Sequence, residues 1–248
     1  MSTKSRPIRI VPIHRPEAAA QPQPSRPKLT YRGGPLIPAV EVFTVFWGDA
    51  WKQQAQANLV PKLNQFFDVI LSSDLMDQLA EYSVSGTTIG HGRRTGSTQV
   101  PGGATDVTDE MVRKMLQDSI AATSGGFPQP SPNTLYFVYL PPGVTSELAG
   151  SQSCQAYCGY HDEISGQVIY AVMPYPDCAG CLGGAAAFDA LTSTSSHELC
   201  EAITDPVPGQ GWYDDANGEI GDICAWSTRQ VAGYTVQLEW SNRARSCV

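Results

Sequence analysis

The sequence predicts an α+β fold, in which helices pack on a mixed β-sheet and an irregular, cysteine-containing part follows toward the C-terminus. Short β-branched and aromatic segments alternate with longer segments whose apolar residues recur at helical spacing. This order of elements favours helices layered on a mixed sheet. The seven cysteines all lie after residue 153, which favours a crosslinked C-terminal half over scattered core thiols.

Strands are predicted where β-branched and aromatic residues cluster. These segments are 41–47, 134–140, 168–173 and 234–240, and residues 82–104 are expected to form a strand edge and a loop. Helical spacing predicts helices over 51–81, 108–122 and 183–204. The second of these opens with the N-cap signal Thr-Asp-Glu, and the third ends at Asp205-Pro206, because proline cannot continue a helix.

A proline-rich, basic segment precedes the predicted domain. Residues 1–38 hold eight of the 19 prolines, and this composition resists packing. We therefore expect a disordered or extended tail at 1–38 and a single domain at 39–248. We expect this tail to be a solvated leader, with docking of its basic charge on the acidic body as the alternative. It contains no apolar run of the roughly 7–15 residues that a secretory signal needs, so no signal peptide is visible.

The predicted domain is strongly acidic. The chain has a net charge of −8, and no lysine or arginine lies between Lys114 and Arg229. Such a surface repels phosphates, so we do not expect nucleic acid as a partner. No apolar run reaches the roughly 18 residues of a membrane span, so we expect no transmembrane segment. A dense carboxylate field requires cations, and a bound metal ion is one way to supply them.

The third predicted helix contains the sequence His-Glu-Leu-Cys-Glu at 197–201. His197 and Glu201 lie about 40° apart on one helix face and can bind one cation together. Glu198 is turned by about 100° from His197 and is suited to act as a general base on a water that the metal activates. The pattern follows the H-E-x-x-H zinc helix with Glu201 in place of the second histidine, and His and Glu ligands are known to bind zinc.

A catalytic zinc needs a third protein ligand and an open coordination position. The segment Gly-Glu-Ile-Gly-Asp at 218–222 supplies two candidates. Thermolysin-like peptidases also take a third ligand, a glutamate, from a later element. Glu219 would thus be the ligand and Asp222 a partner for His197, or the reverse. His161 would line the site as a donor to a developing oxyanion, with a structural role as the alternative.

Calcium is the alternative metal for the same acidic stretch. The oxygen-rich, closely spaced set that calcium prefers is Asp214, Asp215, Asn217, Glu219 and Asp222. Residues 214–218 are also typical of an ordinary tight turn. The ligand type distinguishes the two metals, because zinc binding should involve a nitrogen of His197 and calcium binding only oxygens.

The cysteines are compatible with disulfides or with a structural zinc site. The disulfide candidates are Cys154, Cys158, Cys178, Cys181, Cys200 and Cys224. The first four form either a zinc site or two local disulfides, and we favour disulfides for an acidic, extracellular domain. Cys200 and Cys224 are expected to pair, which would tie the site helix to the loop that carries Glu219.

Several motifs follow one another in a fixed order between residues 31 and 224. They are Tyr31-Arg-Gly-Gly-Pro35, Val45-Phe-Trp-Gly48 with Trp51, Cys154, Cys158-Gly-Tyr-His161, Cys178-Ala-Gly-Cys181, His197-Glu198, Glu201, Thr204-Asp205-Pro206, Trp212-Tyr213, Glu219 and Asp222-Ile-Cys224. This series resembles the phosphate-induced, EXORDIUM-like family, known from plant cell walls and also found in bacteria. The resemblance implies an extracellular protein linked to growth or carbon response, without a defined biochemical activity. Asp205 stands where plant members tend to have asparagine.

We therefore expect a zincin-like fold and a zinc-dependent metallohydrolase, in particular a peptidase acting on a peptide or protein. Glu198 would be the general base, His197, Glu201 and Glu219 would hold the metal, and Asp222 would support it. One alternative is a secreted, non-catalytic EXORDIUM-like binding module stabilised by calcium and disulfides. A further alternative is an interaction protein whose His-Glu pair has no function.

Overall fold

The computed structural model of the protein describes residues 10–14, 27–122 and 126–248. Its helices are α1 (Gln54–Ala57), α2 (Leu59–Ile70), α3 (Asp74–Leu79), α4 (Asp109–Ala121), α5 (Ala179–Leu182) and α6 (Ala187–Thr204). Its strands are β1 (Ile10–Pro12), β2 (Thr30–Tyr31), β3 (Glu41–Trp47), β4 (Arg93–Val100), β5 (Asp106–Thr108), β6 (Thr134–Tyr139), β7 (Thr145–Leu148), β8 (Ser151–Gln152), β9 (Tyr157–Ile164), β10 (Val168–Met173), β11 (Trp212–Tyr213), β12 (Thr228–Val231), β13 (Tyr234–Gln237), β14 (Trp240–Ser241) and β15 (Ser246–Cys247). Within these ranges, none of the helices combines the length and the apolar character that a membrane crossing requires.

Six strands form one mixed sheet in the order β1-β9-β10-β6-β3-β4. β4, β3, β6 and β10 run parallel to one another, and β9 runs antiparallel to β10. β1 pairs antiparallel with β9 and forms one edge of the sheet. The predicted α+β class, with helices on a mixed sheet, is confirmed.

Apolar side chains cover both faces of this sheet. On one face, Phe46 of β3 belongs to a buried cluster with Leu199 and Ile203 of α6. On the other face, Val45 of β3 belongs to a separate cluster with Leu116 of α4. Because the alternating side chains of β3 point to opposite faces, α6 and α4 lie on opposite sides of the sheet.

Helix boundaries follow local signals. The hydroxyl of Thr108 caps α4 by accepting a hydrogen bond from Met111 N at 3.3 Å. The predicted helix over 183–204 begins only at Ala187, because Gly183 adopts the left-handed conformation that ends α5. The predicted helix over 51–81 is divided into α1, α2 and α3, and Ser73 caps the last of these.

Part of the predicted N-terminal tail belongs to the fold. Residues 1–9 and 15–26 lie outside the described residues, whereas Ile10–Pro12 forms β1 of the main sheet. Leu29 and Ile37 are each 1% exposed and belong to the core. The tail predicted to be disordered or extended therefore has a defined, packed structure at residues 10–14 and 27–38. A few apolar side chains pack these residues against the core. The proline-rich, polar composition of the whole segment does not indicate this packing.

The beginning and the end of the chain meet in the fold. Leu29 N donates a hydrogen bond to Asn242 Oδ1 at 3.0 Å, and Asn242 Nδ2 donates to the Leu29 carbonyl at 2.8 Å. β2 likewise pairs with β11, which lies much later in the chain. The core that contains Leu29 also contains Trp240, so it uses residues from both ends.

Three disulfides link six of the seven cysteines. They are Cys154–Cys178, Cys158–Cys181 and Cys224–Cys247. The first four cysteines thus form two disulfides, as predicted, and not a structural zinc site. The expected pairing of Cys200 with Cys224 is wrong, because Cys200 is a free thiol that packs fully buried in the apolar core.

Candidate metal centre

A buried polar cluster surrounds the middle of α6. Its members are His161, His197, Glu198, Glu201, Glu219, Asp222 and Glu239. All of them except Asp222 are 0% exposed. His197 faces the loop after β11, where an ideal Cβ on Gly221 would lie only 2.7 Å from His197 Nδ1. The glycine therefore allows the loop backbone to pack directly on the imidazole ring.

His161 enters the polar cluster from β9, a strand that the sequence pattern does not predict. Its partner across the sheet is Ala171 of β10, which belongs to the core covered by α6. His161 Nδ1 lies 3.1 Å from Glu198 Oε2 and 3.6 Å from Glu201 Oε2. Its Nε2 lies 3.2 Å from the carbonyl oxygen of Asp205. The ring therefore bridges the site helix and the residue at which that helix ends.

Glu219 and Asp222 enter from the loop after β11. Asp222 N donates to Glu201 Oε1 at 3.2 Å, and the Asp222 carboxylate accepts a hydrogen bond from Glu219 N at 3.0 Å. Glu219 Oε1 lies 3.7 Å from His161 Nε2. These contacts fold the loop around the two acids and bring both of them to the site helix.

Two sets of ligand atoms converge in the polar cluster and share Glu201. One set is His197, Glu201 and Asp222, and the other is His161, Glu198 and Glu201. Within each set, the ligand atoms all lie within 4.8 Å of one another, and His197 Nε2 lies 2.9 Å from Glu201 Oε1. Ligands about 2.0–2.1 Å from a tetrahedral zinc are roughly 3.3 Å apart, so these separations are compatible with a shared cation.

The polar cluster contains more buried polar atoms than its hydrogen bonds satisfy. Among the described residues, the buried atoms without a hydrogen-bond partner include both ring nitrogens of His197, Glu198 Oε1, Glu201 Oε2, and both carboxylate oxygens of Glu219 and Glu239. Buried polar groups are normally hydrogen bonded, and an uncompensated buried charge is strongly destabilising. A divalent cation would satisfy several of these atoms at once. The donor set of imidazoles and carboxylates therefore fits a metal ion.

Burial and mutual proximity shift the pKa values of the polar cluster. Burial raises the pKa of Glu219 well above its usual range, and the Glu201 carboxylate adds to this shift. Burial lowers the pKa of His161, but the charge of Glu219 and the contact with Glu198 outweigh it, so the net shift is upward. Burial likewise raises the pKa of Glu201, but His197 and His161 outweigh it and bring the value to about 2. Without a metal, protonated imidazoles would therefore compensate the carboxylates.

The structure brings together the six residues predicted for the zinc site. They are His161, His197, Glu198, Glu201, Glu219 and Asp222. Their grouping differs from the first expectation, because Asp222, and not Glu219, completes the set with His197 and Glu201. Nothing matches this chain among family models, curated proteins or solved structures. The chemistry of the site is therefore the basis for assigning a function.

Three residues of the alternative calcium set, Asp214, Asp215 and Asn217, are not members of the polar cluster. Asp214 Oδ1 accepts hydrogen bonds from the backbone N–H groups of Ala216 and Asn217, as in a tight turn. Asp215 pairs with Arg32. In the part of the chain that the structure describes, Asp214 and Asp215 belong to no converging set of histidine, cysteine and carboxylate ligand atoms.

Glu239 is a member of the polar cluster that the sequence does not single out. Burial raises the pKa of Glu239 well above its usual range, whereas the charge of His197 opposes this shift. Glu239 lies between β13 and β14, outside any local motif. Only its place in the folded chain brings it to α6, so no spacing rule could have found it.

Every member of the polar cluster except Asp222 is buried away from solvent in this structure. A cavity of about 310 Å³ lies at the ends of β3 and β6, where Trp47, Asp49 and Pro141 line it, and no member of the polar cluster borders it. A substrate could reach Glu198 only if an element packed over the site moved. The elements that cover the site therefore control access to Glu198.

Proposed function

We propose that this protein is a metal-dependent hydrolase, with zinc as its metal and peptides as its substrates. The observation that supports the proposal is the convergence of His197, Glu201 and Asp222, together with a buried imidazole whose Nδ1 has no hydrogen-bond partner and whose Nε2 faces Glu201. A histidine and a carboxylate four residues apart on a helix, with a third ligand from a later loop, follow the zincin-like arrangement. Asp222 in this role is the second of the two ligand assignments that the sequence allowed.

A bound zinc ion would supply a Lewis acid that polarises a carbonyl and acidifies a water molecule. Glu198 is placed to accept a proton, because its Oε1 is unpartnered while His161 holds its Oε2. His161 faces a carboxylate through Nδ1 and a carbonyl oxygen through Nε2, and the neighbouring carboxylates raise the pKa of its ring, which favours the positively charged form. This charge would stabilise negative charge that develops on a substrate oxygen.

Metal analysis and one conservative variant test this proposal. Protein purified without added metal should contain about one zinc per chain, and His197→Ala should lose it while remaining folded. Glu198→Gln should retain zinc but hydrolyse a peptide library roughly 10²–10⁴-fold more slowly. Glu110→Gln is a matched control, because Glu110 is exposed on α4 and far from α6 in the fold. Full activity of zinc-loaded Glu198→Gln, or protein without any bound metal, would refute the mechanism.

Burial of every ligand except Asp222 favours one alternative function. A structural metal site is closed, whereas a catalytic site keeps a position open. In a non-catalytic binding module, the metal would only stabilise the packing of the loop on α6. Chelation would then lower Tm strongly, while no member of a peptide library would be cleaved under any condition. Detection of calcium instead of zinc would favour the same alternative.

We also propose that the protein is extracellular and related to the EXORDIUM-like family. Three disulfides are typical of proteins that fold in oxidising compartments. The motifs that resemble the family imply the same location. Cell fractionation with thiol labelling tests the location: we expect exported protein with one labelled thiol after unfolding, and protein retained inside with seven labelled thiols would contradict it.

A further inference from the structure

We propose that the outer edge of β9 is a binding site for extended peptides, and that residues 10–14 of the chain itself occupy it in this structure. Peptide binding at this edge is a separate property, but its link to catalysis rests on the proposed hydrolase function.

β1 is a short strand added to the edge of the main sheet. Val11 pairs with Gly159 and Ile10 with Tyr160, in antiparallel register. The pairing becomes irregular at Pro12, so only three residues form the strand. A sheet edge offers unpaired N–H and C=O groups to any extended chain, and peptides bind to proteins by adding a strand in this way.

The surroundings of β1 provide side-chain specificity. Val11 is 3% exposed and packs in an apolar cluster with the Cys158–Cys181 disulfide. Trp226 Nε1 donates to the carbonyl oxygen of Pro12 at 2.8 Å, and the Trp226 ring centroid lies 5.2 Å from that of His14. The site therefore suits an extended segment with an aliphatic side chain and, three residues later, a ring that packs on tryptophan.

β1 also covers the polar cluster. It contacts β9, α6 and the turn Asp222–Cys224, which together carry both converging sets of ligand atoms. Gly159, the partner of Val11, lies next to the site helix: an ideal Cβ there would be 3.3 Å from Glu198 Oε1. Adjacent strands are about 4.8 Å apart. A peptide in the place of β1 would therefore run one strand spacing away from the backbone that packs on Glu198.

Occupation of this edge by the chain itself closes one side of the polar cluster. Release of β1 would uncover one side of the cluster without disturbing the strand below it. The two disulfides Cys154–Cys178 and Cys158–Cys181 tie the start of β9 to the segment around α5, so the edge would keep its shape. The same edge could then accept another extended peptide.

Peptide binding to the full-length chain tests the proposal. Val11→Asp places a carboxylate against the buried disulfide and should release β1. A fluorescently labelled peptide with the sequence of residues 8–14 should then bind at least ~10-fold more tightly than it binds the unaltered chain. In the unaltered chain, the attached segment competes at an effective concentration of about millimolar. A peptide of scrambled sequence is the control and should bind neither protein.

A second variant keeps the test decisive if Val11→Asp does not fold. Val11→Ala shortens the side chain that packs on the Cys158–Cys181 disulfide without altering the edge itself, and should give a smaller increase in peptide affinity. Equal affinity for the unaltered chain and every folded variant would overturn the proposal. Tighter binding without cleavage of any peptide library would support the edge site and refute the hydrolase function. Hydrolysis by the unaltered chain, with no increase in either variant, would refute the covering role of β1.

Discussion

A methyl group at position 221 would test the packing of the loop on His197. Gly221 has a φ of −79°, so its backbone accepts alanine without strain. The new Cβ, however, would lie 2.7 Å from Nδ1, 2.8 Å from Cε1 and 2.9 Å from Cγ of His197. Ordinary contacts begin at 3.4 Å, so the ring or the loop must move by about 0.7 Å. Gly221→Ala thus displaces a proposed ligand without removing it.

The size of the effect follows from this displacement. Extra volume in a well-packed interior costs about 1–3 kcal/mol, and we expect the free energy of unfolding to fall by this amount. Metal ligands must stay within about 0.5 Å of their productive positions. Loss of such support typically lowers metal affinity by roughly 10–100-fold. Because no charge or ligand is deleted, both losses would be attributable to the position of the ring.

Two measurements check this prediction. Zinc affinity can be determined by competition with a chelator, and stability by urea unfolding followed by circular dichroism. Gly103→Ala is the matched control, because a Cβ there meets no atom within 4 Å, and it should change zinc affinity less than about twofold. Unchanged zinc affinity and unchanged stability in Gly221→Ala would refute the close packing of the loop on His197.

Three other predictions concern pH and the cysteines. The pKa values of Glu219 and His161 are raised in the folded, metal-free chain. This chain therefore keeps protons on the two side chains at pH values where the unfolded chain, with the ordinary pKa values of 4.5 for glutamate and 6.5 for histidine, has released them. The stability of chelated protein should therefore fall as pH rises from 5 to 8, by about 1.4 kcal/mol per pH unit for each proton retained, and urea unfolding that gives equal stability at both values would contradict this. Joint replacement of Cys224 and Cys247 by serine should cost about 3 kcal/mol, since the disulfide closes a loop of 23 residues, and a loss under ~1 kcal/mol in urea unfolding would count against it. Cys200 should resist thiol reagents until the protein unfolds, because it is fully buried, so rapid labelling of native protein would disagree with the structure.

Local patterns predict the elements whose signals are contained within a few residues. β3, β6 and β10 are buried strands rich in β-branched and aromatic residues, and all three lie where the sequence predicts them. β9 is different, because its central residues Gly-Tyr-His-Asp-Glu lack this composition. It is a strand because β10 pairs with it over most of its length. Tertiary pairing therefore decides its conformation.

The same distinction applies to the polar cluster. Helical geometry alone places His197 and Glu201 side by side, so their proximity is predictable from their spacing. The loop is harder to predict, because Gly218 has a φ of 92° and turns the chain so that Asp222 meets Glu201. Glu239 reaches the cluster through pairing of the C-terminal strands. Because Glu239 lies far from α6 in the sequence, no periodic pattern indicates that the two are in contact.

The contact between Leu29 and Asn242 has a consequence for biosynthesis. A chain that is still growing on the ribosome exposes Leu29 long before its partner exists, since 213 residues separate them. The part of the core that contains Leu29 and Trp240 can close only after residue 240 has been made. We therefore expect this part of the nascent protein to stay open until that point of synthesis.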